Sequence, residues 1–142
     1  MIKFFKKEGE QRVIQAIQAT EKQTSGEVRV HIQEHCIGDI LTDAARVFRA
    51  LQMDKTAERN GVLIYIVPER HEFAVIGDQG INEKVPENYW ADVRDVMQQH
   101  FRNQDFTEGT VRAVHLIGVK LKEHFPYKEG DKNELPDDIS YG

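Results

Sequence analysis

Residues 62–80 read "VLIYIVPERHEFAVIGDQG". The first six, Val62 to Val67, are apolar without a break and mostly β-branched or aromatic. A run of that length with no alternation reads as a central strand covered on both faces. Pro68 has no N–H to give to a ladder, so "PERH" reads as a hairpin turn. "EFAVIG", residues 72–77, is the returning antiparallel strand. It ends at Gly77-Asp78-Gln79-Gly80, an acid held between two glycines. Two readings stand at this point. Asp78 is a turn residue whose carboxylate bonds its own backbone, or it is a ligand presented by a loop that glycine keeps open.

Upstream, "EVRVHIQEH" (27–35) alternates, with Val28, Val30 and Ile32 facing one way. Glu27, Arg29, His31 and Gln33 face the other, as in a half-buried strand toward a sheet edge that a partner strand could extend. Between the two strands, "GDILTDAARVFRALQM" has a helical period, with Leu41, Ala44, Ala45, Phe48 and Leu51 on one face. Asp39 is placed to cap it. Strand, helix, strand predicts a parallel pair with a right-handed crossover. A first helix, "EGEQRVIQAIQATEKQ", turns Val13, Ala16 and Ile17 inward. A third starts at Pro86 and carries Tyr89, Trp90, Val93, Met97, His100 and Phe101. A last one, residues 106–125, buries Val111, Val114, Leu121 and Phe125, with Gly118 on that face for close packing. The order α-β-α-β-β-α-α predicts an α/β chain with a small mixed sheet and helices on both faces. Residues 1–126 form one domain. Residues 127–142 read as an acidic, loosely ordered tail broken by Pro and Gly.

Bulk properties narrow the function classes. The 142 residues fit a single domain. A net charge of −5, with Lys and Arg spread among the acids, argues against nucleic-acid binding. The single cysteine, Cys36, rules out an intrachain disulfide. The first residues lack the apolar run of a secretory leader, and no window approaches the roughly 20 apolar residues of a membrane span. A cytoplasmic location is the default expectation.

The topology makes a geometric prediction. Parallel strands begin at the same sheet edge, and a hairpin returns there. The loops "TSGE" (24–27), "ERNG" (58–61) and "GDQG" (77–80) therefore converge on one rim, with "QMDKT" (52–56) and the segment from Glu83 to Trp90 beside them. That rim collects Glu27, Asp54, Glu58, Arg59, Asn60, Asp78 and Glu83. Oxygen donors on glycine-rich turns suit a hard cation such as Ca²⁺ or Mg²⁺. The plain alternative is a set of acidic turn residues at a sheet end.

At these residues the chain resembles the TPM domain family, whose name joins a plant thylakoid lumen protein, a photosystem II repair protein and a nematode receptor-modulating protein. The resemblance rests on "TSGEVRVHI", "MDKTAERNGVLIYIV", "HEFAVIGDQGINEKVPENYW" and "HFRNQDFTEGTVRAVHLIGVKLKEHFP", in that order, over residues 10 to 126. The ending "ELPDDISYG" resembles short stand-alone bacterial members. The resemblance implies an α/β/α sandwich, divalent-metal binding in the acidic loops, and the acid phosphatase activity of some plant members. It carries Asp78, Glu27 and Asn60 over as metal ligands. Asp54 and Glu83 join them only as neighbours by topology. Ca²⁺ or Mg²⁺ is the expected ion, with Zn²⁺ the alternative. Arg59 and Trp90 match family positions to which the resemblance assigns no role. Many members also carry a leader and a membrane helix, so a role at a membrane does not transfer.

For catalysis, Arg59 is the candidate phosphate contact, since its guanidinium offers paired N–H donors. No P-loop, aspartyl-nucleophile element or thiolate loop is present, so a phosphorylated substrate rests on the resemblance. The competing class is a non-catalytic module whose ion-stabilised loops dock a protein partner. His31 and His35, with Cys36 nearby, form a second candidate metal pair, although four residues on a strand is a wide spacing. A solvated polar face is the plainer reading of both histidines.

Overall fold

The computed structural model describes residues 4–128 and 138–142. The described elements are α1 (Lys7–Glu21), β1 (Glu27–Ile32), α2 (Ile40–Ala50), β2 (Gly61–Val67), β3 (Glu72–Gly77), α3 (Gln79–Asn82), α4 (Glu87–Arg102), α5 (Phe106–His124) and β4 (Ser140–Tyr141). The sheet order is β3-β2-β1-β4. β1 and β2 run parallel, with Glu27 opposite Gly61, and β2 and β3 are antiparallel, with Val62 opposite Gly77. The α/β class, the mixed sheet and the helices on both faces are as expected.

β2 is buried at all seven positions, which fits its unbroken apolar run. Its two sides meet different partners. Val62, Ile64 and Ile66 join Val28, Val30, Ile32 and Val75 in a core closed by α1, α4 and α5. Leu63, Tyr65, Val67 and Ala74 pack under Ala44, Val47 and Phe48 of α2 and Met53 of the following 3-10 turn. The hairpin turns through a 3-10 turn at Pro68–Arg70, and His71 takes the left-handed φ of 55° that closes it.

Asp39 caps α2 by accepting from the Thr42 N–H at 2.9 Å. α2 is rotated from the expected face, however. Leu41 is 58% exposed while Val47 is 3% exposed. Leu41, in the first turn, stays outside the cluster that Ala44, Val47 and Phe48 form with β2. Gly118 does serve close packing, because a Cβ there would come within 2.8 Å of Thr20 Oγ1 on α1.

Two expectations need correction. The polar side of β1 is not solvated, since Glu27 is 2% and His31 4% exposed. Nor is the far end of β1 an open edge. Residues 138–142 return to it, pairing Ser140 with His31 and Tyr141 with Ile32 in parallel. The Gly142 N–H donates to Ile32 O at 2.9 Å, Glu34 N–H donates to Gly142 O at 2.9 Å, and Ile139 is buried in the main core. Part of the expected loose tail, residues 129–137, lies outside the described residues. Among the described residues, no helix is long and apolar enough to cross a membrane.

Candidate functional site

The three loops meet at one rim, tied by hydrogen bonds between segments distant in sequence. Ser25 Oγ donates to Glu58 Oε2 at 2.7 Å, and Asn60 Nδ2 donates to Ser25 Oγ at 3.4 Å. The Asp78 N–H donates to Gly61 O at 2.9 Å, and the Gly80 N–H to Arg59 O at 2.8 Å. A Cβ on Gly80 would stand 2.1 Å from Glu58 O, so the loop before β2 closes only over a residue with no side chain. Gly77 has a different reason. Its missing Cβ leaves room for the Trp90 ring, which would otherwise lie 2.5 Å away. Trp90 is held there by donating Nε1–H to Asn82 Oδ1 at 3.0 Å.

Strand alternation puts Glu27, Gly61 and Asp78 in one row across three strands, on the side covered by α2. Gly61 is opposite Glu27, and one further step along the antiparallel register sets Asp78 opposite Gly61. Both acids are buried, Glu27 to 2% and Asp78 to 7% exposure. The position between them has no side chain. A Cβ at Gly61 would lie 3.2 Å from the Met53 carbonyl oxygen, which borders that space. The neighbouring Asp54 has its Oδ1 buried without a hydrogen-bond partner among the described residues. Asn60 is 1% exposed, its N–H donating to Thr56 Oγ1 at 3.3 Å.

Asp78 is a turn residue that also has a charged partner. As a turn residue it accepts from Gln79 N–H at 2.8 Å through Oδ1, capping the short α3. It also carries a cationic partner. Arg59 Nε donates to Asp78 Oδ2 at 2.7 Å and Nη2 to Oδ1 at 2.9 Å, a bidentate fork. Arg59 has a left-handed φ of 52°, which aims its side chain across the rim. Hydrogen bonding to Asp78 raises the guanidinium pKa further above its ordinary value, and the Asp54 charge adds to this.

Of the sequence-predicted set, the rim thus gathers Asp78, Glu27, Asn60, Asp54 and Arg59. Glu83 stands outside, exposed and accepting from Gln79 Nε2 at 3.3 Å. Among the described residues, no three His, Cys, Asp or Glu side chains gather as a metal-holding group by themselves. Ser25 and the Met53 carbonyl were not foreseen. Ser25 sits in the "TSGE" loop and was within reach of the loop argument, whereas a backbone oxygen leaves no mark on a sequence.

The histidines have different neighbours from one another. His31 holds Ser140 Oγ through Nδ1 and Gln33 Oε1 through Nε2, each at 2.7 Å, and stacks on Tyr65. Burial pushes its pKa down. Tyr65 in turn donates its hydroxyl to Asp43. His35 is largely exposed and pairs with Glu69 at 3.0 Å, which pushes its pKa up.

The TPM domain family model matches residues 2–120. The chain belongs to the TPM domain family. No curated protein matches it. Among solved structures, this TPM domain is similar to the BA42 protein of the psychrophilic bacterium Bizionia argentinensis. The two share 39% identity at a TM-score of 0.93, over 100% of this chain and 98% of that one. It is also similar to the N-terminal domain of a P. gingivalis protein, at 18% identity and TM-score 0.70, over 89% of this chain and 84% of that one. The N-terminal domain of cg2496 from Corynebacterium glutamicum follows at 12% identity and TM-score 0.60, over 82% and 74%. Those last two likenesses concern the fold of the TPM domain alone.

Proposed function

We propose that this TPM domain binds a divalent cation at the rim, using Asp78, Glu27 and Asn60, with Asp54 and the Met53 carbonyl beside them. One observation carries the reading: two buried carboxylates flank a position without a side chain, and a backbone carbonyl borders the gap. The donor set is all oxygen, which suits Ca²⁺ or Mg²⁺ better than Zn²⁺, and Ca²⁺ tolerates carbonyl, amide and water ligands in an irregular shell. With few carboxylates, water would complete that shell. Glu83 stays in an outer position.

Hydrolysis of a phosphate ester is the finer form of this reading. The cation would polarise the phosphoryl group, and Arg59 would hold a phosphate oxygen. A second reading, an ion-stabilised docking module without turnover, is favoured by one fact. In this structure both Nε and Nη2 of Arg59 are spent on Asp78.

The test is calorimetric titration of the metal-stripped chain with Ca²⁺, Mg²⁺ and Zn²⁺, alongside amide shifts. We expect saturable binding with shifts in 25–27, 53–61 and 77–80. Asp78→Asn is expected to weaken it at least tenfold, about 1.4 kcal/mol. Shifts centred on His31 and His35, or unchanged affinity in the variant, would sink the proposal.

A further inference from the structure

We infer that Arg59 is a built-in counter-ion that competes with the cation for Asp78, so that its side chain sets how tightly the rim binds metal. The inference rests on the cation-binding reading above. It concerns the arginine rather than the ligands.

The pair is asymmetric. The Asp78 side chain is 7% exposed, whereas the Arg59 side chain is 47% exposed. The carboxylate is therefore confined, while the guanidinium can leave for water at little cost. The two fork bonds occupy both carboxylate oxygens, one of which also accepts from Gln79 N–H. Each oxygen of Asp78 has at least one donor while Arg59 stays in place. The guanidinium charge opposes a cation at Asp78, and one that takes both oxygens displaces the fork.

The backbone beneath does not need to move. The Arg59 N–H donates to Thr56 O at 3.2 Å, and the Arg59 carbonyl accepts from Gly80 N–H at 2.8 Å. Exchange is a rotamer change on a fixed loop, with no domain motion. Other basic groups stand in or beside these loops: Lys55 and Lys84 are exposed, and Lys128 lies 3.9 Å from Glu58.

An arginine acting only as a structural clip and one acting as a competitor give opposite signs. Removing a clip loosens the ligand loops and weakens metal binding. Removing a competitor leaves the buried Asp78 short of positive charge and strengthens it. The experiment is Ca²⁺ calorimetry on the full, metal-stripped chain, comparing wild type, Arg59→Gln and Arg59→Lys. We expect Arg59→Gln to bind at least tenfold more tightly. Arg59→Lys should fall between, because an ammonium cannot form the fork. A wild-type readout accompanies these: the Arg59 Nε–H resonance should be protected in the metal-free chain and lose that protection at Ca²⁺ saturation.

Equal or weaker binding by Arg59→Gln, with wild type binding normally, overturns this inference and leaves the cation site standing. So does an Nε–H that keeps its protection at saturation, even if the variants fail to fold. Absence of binding by wild type removes both readings.

Discussion

The two faces of the sheet are built on different terms. On the side of α1, α4 and α5, every inward residue of β1, β2 and β3 is apolar, from Val28 and Val30 through Ile64 to Val75. On the side of α2, β1 contributes Glu27, Arg29 and His31, and β2 contributes Gly61 and Tyr65. Length accounts for much of this. The 11 residues of α2 span about 16 Å, against about 23 Å for the seven residues of β2. One short helix covers Leu63, Tyr65, Val67 and Ala74 and leaves β1 to polar groups. Those include Glu27 of the rim and His31, which meets Ser140. Three helices cover the other face, where the strands present apolar residues.

The largest expected effect tests the dry face. Ile64→Ala, at a fully buried position, should cost about 2–5 kcal/mol in urea unfolding. A cost below about 1 kcal/mol would mean that face is loosely packed and the contrast is overdrawn. Next comes the polar end of the α2 side. Removing residues 138–142 takes Ile139 out of the main core and uncovers His31 and the β1 edge, and should cost about 2 kcal/mol on the scale of one buried isoleucine. An unchanged urea midpoint would return that segment to the status of a loose tail.

The smallest effect is a pH slope. Burial holds the His31 pKa below its ordinary value. Between the folded value and about 6.5, the unfolded chain therefore binds more protons than the folded one. The His31 contribution is complete above about pH 6.5 and is lost as pH falls below it, by at most about 1.4 kcal/mol per pH unit. His35 acts with the opposite sign, since Glu69 raises its pKa. Urea midpoints from pH 7.5 to 5 should show a decline that His31→Gln flattens. An identical decline in the variant would remove His31 from the account.

Much of this was legible in the residues. The unbroken run Val62 to Val67 reads as a covered strand, and the βαβ order brings Glu27, Asn60 and Asp78 to one edge. The misses have separate causes. Period alone does not fix which part of a helix meets its sheet, so it marks Leu41 as core and does not pick out Val47. Alternation in β1 marks polar positions but not whether a helix covers them, so Glu27 and His31 read as solvated. A two-residue strand such as Ser140–Tyr141 has no period to detect. Arg59 and Asp78 were both placed at the rim, yet their pairing depends on a left-handed φ at a non-glycine residue, which local sequence rarely signals.

The returning strand also orders events in time. The β2–β3 hairpin closes through one short turn, whereas His31 and Ser140 are 109 residues apart. The entropy of closing a loop grows with its length, and contacts this remote reward it late. β4 should therefore be the last piece of sheet to dock and the first to release. Each release bares a stretch of β1 backbone, which is the kind of edge through which chains recruit one another. The chain's resistance to self-association then depends on how briefly its last two paired residues stay away.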